Sequence, residues 1–164
     1  MNINPDLNKL QQLKSAFEGF ENIAYPDTGG VWTVGSGHTW NYDKERKVKQ
    51  GDIISKENDA RWLGLKYDSL VKEISKYIKV QLNPDQSAAI VDYCYNRGVG
   101  NFLKTQLDEL INANPNSDKV TDEIKMTGLR DRAGNLLWGL GRRRRAQAHL
   151  YKTGQLKFDW PRWG

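Results

Sequence analysis

Residues 17–39 read FEGFENIAYPDTGGVWTVGSGHT, and a change of period inside this run decides the fold. Upstream of it, Leu7, Leu10, Leu13 and Phe17 recur at helical spacing. They follow Asn4-Pro5, a capping residue and then a proline at the position where a helix accepts one. The pattern predicts a first helix over 5–18, stopped by Gly19 in the left-handed conformation that often follows a helix. From Ile23 the spacing changes. Ile23, Tyr25, Val31 and Val34 stand among Thr28-Gly29-Gly30 and Gly35-Ser36-Gly37, which predicts short twisted strands joined by tight turns. A helix running into a small antiparallel sheet is expected.

Beyond the sheet the chain turns helical again. Leu63, Tyr67, Leu70, Val71, Ile74 and Ile78 form a stripe from Ser55 to about Ile78, long enough to connect two lobes. Asn83-Pro84 repeats the cap-and-proline device and opens the apolar stretch DQSAAIVDYCYN, expected at the centre of the second lobe and stopped by Gly98 and Gly100. NFLKTQLDELINAN and DKVTDEIKM read as two further helices separated by Asn114-Pro115, and LWGLGRRRRAQAHLYKTG as a last one closed by Gly154. The aromatic tail QLKFDWPRWG is expected to pack irregularly on the body. The fold class is therefore α+β, one domain over 1–164. Its small lobe covers about 15–58, a connecting helix about 58–79, and a helical lobe about 80–164 packed with helix 5–18.

With 164 residues, 38% of them hydrophobic and 27% charged, the chain can bury a real core. It holds no apolar run near the ~20 residues of a membrane span. The opening MNINPDLNKLQQLK lacks the basic start and apolar stretch of a secretory signal, so synthesis and folding in the cytoplasm are expected. One cysteine, Cys94, excludes an intrachain disulfide. Together with only His38 and His149 it gives too few ligands for a zinc site, and neither metal nor cofactor is expected. A net charge of +5 favours polyanionic partners: nucleic acid, an anionic cell envelope or acidic glycans. Charge alone does not choose among them.

Two carboxylates in the opening run stand in opposed settings. Glu18 ends a helix, where the macrodipole is negative and Phe17 and Phe20 flank it, so the protonated form of a general acid is favoured there. Asp27, nine residues on, lies in a polar glycine turn suited to a carboxylate. Such a pair can divide acid and base roles, as hydrolysis of an acetal requires, and Thr33 offers a hydroxyl to hold the attacking water. The same residues also read as turn chemistry at Asp27 and a solvated helix end at Glu18.

EGFENIAYPDTGGVWTVGSGHT resembles the signature of the phage-type lysozymes, glycoside hydrolase family 24: Glu-Gly, a short run ending Tyr-x-Asp, a glycine turn, then aromatic-Thr-(Ile/Val)-Gly-x-Gly-His. DQSAAIVDYCYNRGVGNF is similar to the family's central helix, and GLGRRRRAQAHLY to its Gly-Leu-x-x-Arg-Arg-x-x-Glu-x-x-Leu helix. The three blocks follow in the family's order over nearly the whole chain. The resemblance implies a lysozyme-like fold. It also implies a muramidase cutting the β-1,4 bond between N-acetylmuramic acid and N-acetylglucosamine in bacterial peptidoglycan, across a cleft between the lobes. Glu18 then matches the general acid, Asp27 the carboxylate that activates water and Thr33 its assistant. Like the family's endolysins, the protein is expected to be a monomer that accumulates in the host bacterial cytoplasm and reaches the periplasmic wall once the inner membrane is permeabilised. Its charge would draw it to the anionic envelope. A non-catalytic peptidoglycan-binding module and a lytic transglycosylase are the rival readings. One position departs from the family: Gln147 stands where glutamate is usual, so a salt bridge within that helix is expected to be missing.

The remaining candidates carry less. Glu21 is a rival acid but does not precede glycine, and Ser36 lacks the serine-elbow context. His38 reads as a buried hydrogen-bonding support rather than a base. Four consecutive arginines, Arg142–Arg145, must point in different directions, so they read as a solvated basic face or, by resemblance, place Arg143 and Arg144 on the substrate. No nucleic-acid motif accompanies them, and nucleic acid is not an expected partner. Asn96 and Thr105 match family positions expected to contact sugar, although Asn96 also reads as helix termination.

Overall fold

A computed structural model describes residues 2–161. The chain forms two compact units, one taking the chain up to Phe17 and again from Ser69 onward, the other running Glu18–Asp68.

In the first unit α1, Leu7–Phe17, buries Leu10 and Leu13. Its cap is Asp6 rather than the expected Asn4: Asp6 Oδ1 accepts from the Lys9 amide at 3.0 Å. The Asn4 amide instead donates to Ser87 Oγ at 3.1 Å, tying the leading segment to a later helix. The helix stops at Phe17, and Gly19 does not adopt the expected left-handed conformation. The chain extends directly into the first strand, so no reversal is required of it.

At the centre lies α3, Pro84–Arg97. Asn83 and Gln86 cap it reciprocally, at 2.8 and 3.0 Å, a device worth about 1 kcal/mol. Ala88 through Val91 are fully buried, and α3 packs on α1 and on α7, Trp138–Thr153. Gly98 ends α3 at φ 82°, but Gly100 lies inside the short helix α4, Val99–Leu103. The single helix expected over 101–114 is two, α4 and α5, Leu107–Ala113. Thr105 makes the break: its hydroxyl donates to the Phe102 carbonyl at 2.6 Å and accepts from the Leu107 amide at 3.1 Å, replacing ladder bonds. α6, Asp118–Met126, is capped by Ser117 and packs on α7, which Gly154 closes in the left-handed conformation. Residues 155–161 fold back irregularly, with the Phe158 ring edge-on to Phe17 at 6.1 Å and the Phe158 carbonyl accepting from Arg142. The last three residues of the tail lie outside the described residues.

The second unit holds two antiparallel ribbons. β1, Glu21–Pro26, pairs with β2, Trp32–Gly35, and β3, Trp40–Asn41, with β4, Arg46–Lys47. Tyr25 faces Thr33 in the first register, which is irregular between Glu21 and Tyr25. Ala24, Val34, Val48, Ile54 and Trp62 form the core, with Phe20, Trp32 and Tyr42 packed against it. Trp62 comes from α2, Lys56–Ile74, a helix shared by both units: the residues to Asp68 belong here and those from Ser69 to the first. α2 ends short of the expected residue 79, because Tyr77 tightens back onto the Ile74 carbonyl at 2.9 Å. Ile78 is nonetheless fully buried.

Candidate active site

The turn between β1 and β2 is built by Asp27. Its Oδ1 accepts from the Gly29 and Val31 amides, each at 2.8 Å, while its own amide donates to the Val31 carbonyl at 2.8 Å. Aspartate suits this position because its short side chain can satisfy amides two and four residues on. Oδ2 takes no hydrogen bond from another group among the described residues. One oxygen therefore fixes the turn while the other is uncommitted among the described residues.

Thr33 enters the same turn from β2. Its Oγ1 donates to the Val31 carbonyl at 3.0 Å, and the residue is nearly buried. A hydroxyl that has placed its one proton retains lone pairs with which to accept. Val31 thus connects Asp27 and Thr33 through both ends of its peptide: its N–H binds one and its C=O the other.

Glu18 lies half-buried just past the end of α1. Tyr25, 38% exposed, lies within electrostatic reach of both carboxylates. Partial burial, then the charges of Glu18, Glu21 and Asp27, hold its phenol above the ordinary value. Glu18 and Asp27 therefore act electrostatically on one hydroxyl. In the sequence Tyr25 is both a strand residue and the tyrosine of Tyr-x-Asp, two places before Asp27, but nothing there signals its electrostatic tie to Glu18.

His38 is buried, with Nε2 3.0 Å from Asp59 Oδ1. Its ring meets those of Trp62 and Tyr42 edge-on at 5.5 and 6.4 Å. Ser36 donates to the same carboxylate from its amide and hydroxyl at 2.8 and 2.9 Å. Burial pushes Asp59 up, but the close His38 ring and the bonds from Ser36 outweigh it and hold the carboxyl below its usual range. The hairpin closes tightly here, Val34 and His38 exchanging both backbone bonds at 2.9 Å. Gly35, at φ 67°, cannot carry a side chain, since a Cβ would overlap Asp59 Oδ1.

Arg143 and Arg144, expected on the substrate, are internal. Arg143 is 3% exposed and binds Asp92 through Nε and Nη2 at 3.0 and 2.8 Å. Arg144, fully buried, donates to Gln147 Oε1 at 2.6 Å, to the Gly128 carbonyl at 3.3 Å and to Asn96 Oδ1. Its guanidinium lies over the Tyr93 ring at 4.6 Å, and burial lowers it to about 10. The guanidiniums are directed inward because their acceptors come from distant segments. In place of the salt bridge expected to be missing at Gln147 stand two hydrogen bonds: Gln147 receives Arg144 and donates to Asp92 Oδ2 at 2.6 Å, so a neutral amide bridges a buried cation and a buried anion. Asn96 is half-buried with its carbonyl engaged, and the Thr105 hydroxyl serves the α4–α5 junction.

The sequence profile described as phage lysozyme matches residues 15–147. The chain is 33% identical over 95 residues to the SAR-endolysin of Enterobacteria phage P21, covering 58% of this chain and 54% of that protein. To the endolysin of Acyrthosiphon pisum secondary endosymbiont phage 1 it is 28% identical over 138 residues, covering 84% and 90%. Among solved structures, the endolysin from Escherichia coli O157:H7 phage FAHEc1 superposes with a TM-score of 0.82 at 25% identity, covering 94% of this chain and 97% of that one. The chain spans about half the length of the first curated relatives it matches.

Proposed function

Because the chain belongs to the phage lysozyme family, we propose that it is an endolysin, a muramidase that hydrolyses the β-1,4 bond between N-acetylmuramic acid and N-acetylglucosamine in peptidoglycan. Glu18 is the general acid, and Asp27 with Thr33 holds the nucleophilic water. The observation that carries this reading is the division of labour within Asp27. With Oδ1 fixed by two amides, Oδ2 is held in one orientation, and Thr33, tied to the same Val31, has a hydroxyl that has already placed its proton and can only accept. A water donating one proton to Asp27 Oδ2 and the other to Thr33 Oγ1 keeps a lone pair for the anomeric carbon.

In the reaction Glu18 gives its proton to the glycosidic oxygen as the C–O bond breaks. The water oxygen bonds to the anomeric carbon and its proton passes to Asp27. Transfer of that proton back to Glu18 through solvent restores the enzyme, and the product carries a new reducing end. Tyr25 feels the charge of both carboxylates. The protein would act on the periplasmic wall, drawn to the anionic envelope by its +5 charge.

The test is product analysis on purified Gram-negative peptidoglycan. New reducing muramic ends are expected from the wild type and none from Glu18→Gln. Anhydro-muramic ends would identify a transglycosylase, and binding without cleavage a wall-binding module.

A further inference from the structure

Along the first unit, α6, α7 and the returning tail line a groove of about 720 Å³, with Gly141, Ala148, Trp160 and Pro161 among its lining residues. A second hollow of about 240 Å³ adjoins it, the two sharing Asp118, Thr121 and Lys152. The two hollows are continuous through these shared residues and together offer room for more than one sugar unit. None of Glu18, Asp27 and Thr33 lines it; those belong to the other unit.

Its chemistry is specific. Trp160 is held firmly, its indole N–H donating to the Lys157 carbonyl at 2.8 Å, His149 edge-on at 5.4 Å and Lys157 Nζ 4.3 Å from the ring centre. Lys152 pairs with Asp118 at 3.0 Å and Lys125 with Asp122 at 3.4 Å. With Arg145 and Lys157 added, the lining carries two positive charges in excess, before any from His149. Exposed ion pairs of this kind hold little energy and exchange readily for other hydrogen-bonding partners. A ligand for such a groove offers many hydroxyls and amides, flat apolar faces for an indole, and spaced negative charge.

We propose that this groove is a second binding site for an acidic saccharide chain, one bearing a carboxylate on alternate sugars. An anionic membrane surface fits less well, because the site is concave and two aspartates line it. The choice of polymer rests on the muramidase reading, since every second sugar of the glycan carries negative charge, on the lactyl carboxylate where the stem peptide has been removed and on the peptide's own carboxylates where it has not. Two contacts to one strand raise the effective concentration of the next bond to be cut. The site would therefore matter on whole walls and not on short fragments.

The experiment uses the full chain carrying Glu18→Gln and labelled with nitrogen-15, with the Trp160 indole resonance assigned through Trp160→Phe. Peptide-free glycan strands, neutral chitohexaose and phosphatidylglycerol vesicles are titrated separately. Acidic strands are expected to move the Trp160 indole and His149 resonances saturably. Chitohexaose, or Lys157→Glu titrated with acidic strands, is expected to need about tenfold higher concentration. No response at Trp160, an unchanged titration in Lys157→Glu, or a response to vesicles alone would overturn the proposal. Reducing-end release by the wild type from short strands, where Lys157→Glu should match it, reports on catalysis separately.

Discussion

Arg143 and Asp92, 51 residues apart in sequence, meet through two parallel hydrogen bonds of 3.0 and 2.8 Å in a site from which water is excluded. The aspartate is fully buried and lies on α3; the arginine is on α7. Two charges taken out of water are tolerated together and not singly. Removing one partner of a buried pair costs about 3–5 kcal/mol. Asp92→Ala should therefore lower the thermal midpoint by about 10 °C or more in a chain of this size, measured by circular dichroism. A midpoint within 2–3 °C of wild type would mean that the pair contributes little.

Gln147 gives a sharper test, because the family's usual glutamate is the substitution. Its amide N–H donates to Asp92 Oδ2 at 2.6 Å. A carboxylate there would face a carboxylate, and the gain toward Arg144 would not offset the loss of the donor. Gln147→Glu is expected to destabilise by about 1–3 kcal/mol in urea unfolding near neutral pH, and less as the solution is acidified. A more stable variant would show that Arg144 dominates the site.

The two oxygens of Asp27 can be tested apart. Asp27→Asn keeps a carbonyl oxygen for the Gly29 and Val31 amides but cannot take a proton from water, so it should melt like wild type and lose activity about a hundredfold or more. Asp27→Ala orphans both amides and should also lose about 1–2 kcal/mol of stability. An active Asp27→Asn protein would remove Asp27 from the chemistry.

Acid should weaken the second unit in a particular way. Asp59 is held below its ordinary value by His38 and Ser36, and Asp52 by Arg46, which grips it through two bonds of 2.8 Å. A carboxyl with a depressed folded-state value binds fewer protons folded than unfolded. Its stabilisation is complete above the unfolded value of about 3.9 and is lost as pH falls through the lower folded one. Unfolding free energy measured by urea between about pH 5 and pH 2 should fall more steeply for wild type than for Asp59→Asn. Parallel curves would show that Asp59 is not linked to folding.

What the sequence discloses divides along physical lines. Local devices are legible: Asn83-Pro84 opens α3 and Gly154 closes α7, because the cap residues and their partners lie within four positions. The glycine turn at Asp27 is legible for the same reason. Asn4 misleads because a second capping residue, Asp6, stands two places on and the tertiary bond to Ser87 claims the first. The α4–α5 break depends on one threonine hydroxyl, for which hydrophobic period gives no signal. The arginines are the clearest limit. A run of four states that they diverge, but Asp92, Asn96 and Gly128 lie 16–51 residues away and only the folded chain brings them near.

That run of arginines has a consequence for how the first unit comes apart. Arg142 reaches the Phe158 carbonyl, Arg143 reaches α3, Arg144 reaches residues 96 and 128, and Arg145 reaches the Pro161 carbonyl. One turn of helix is thereby fastened to a helix, a loop and the tail. These three cannot loosen independently, and their amides should exchange with solvent through a single shared opening rather than fraying one by one.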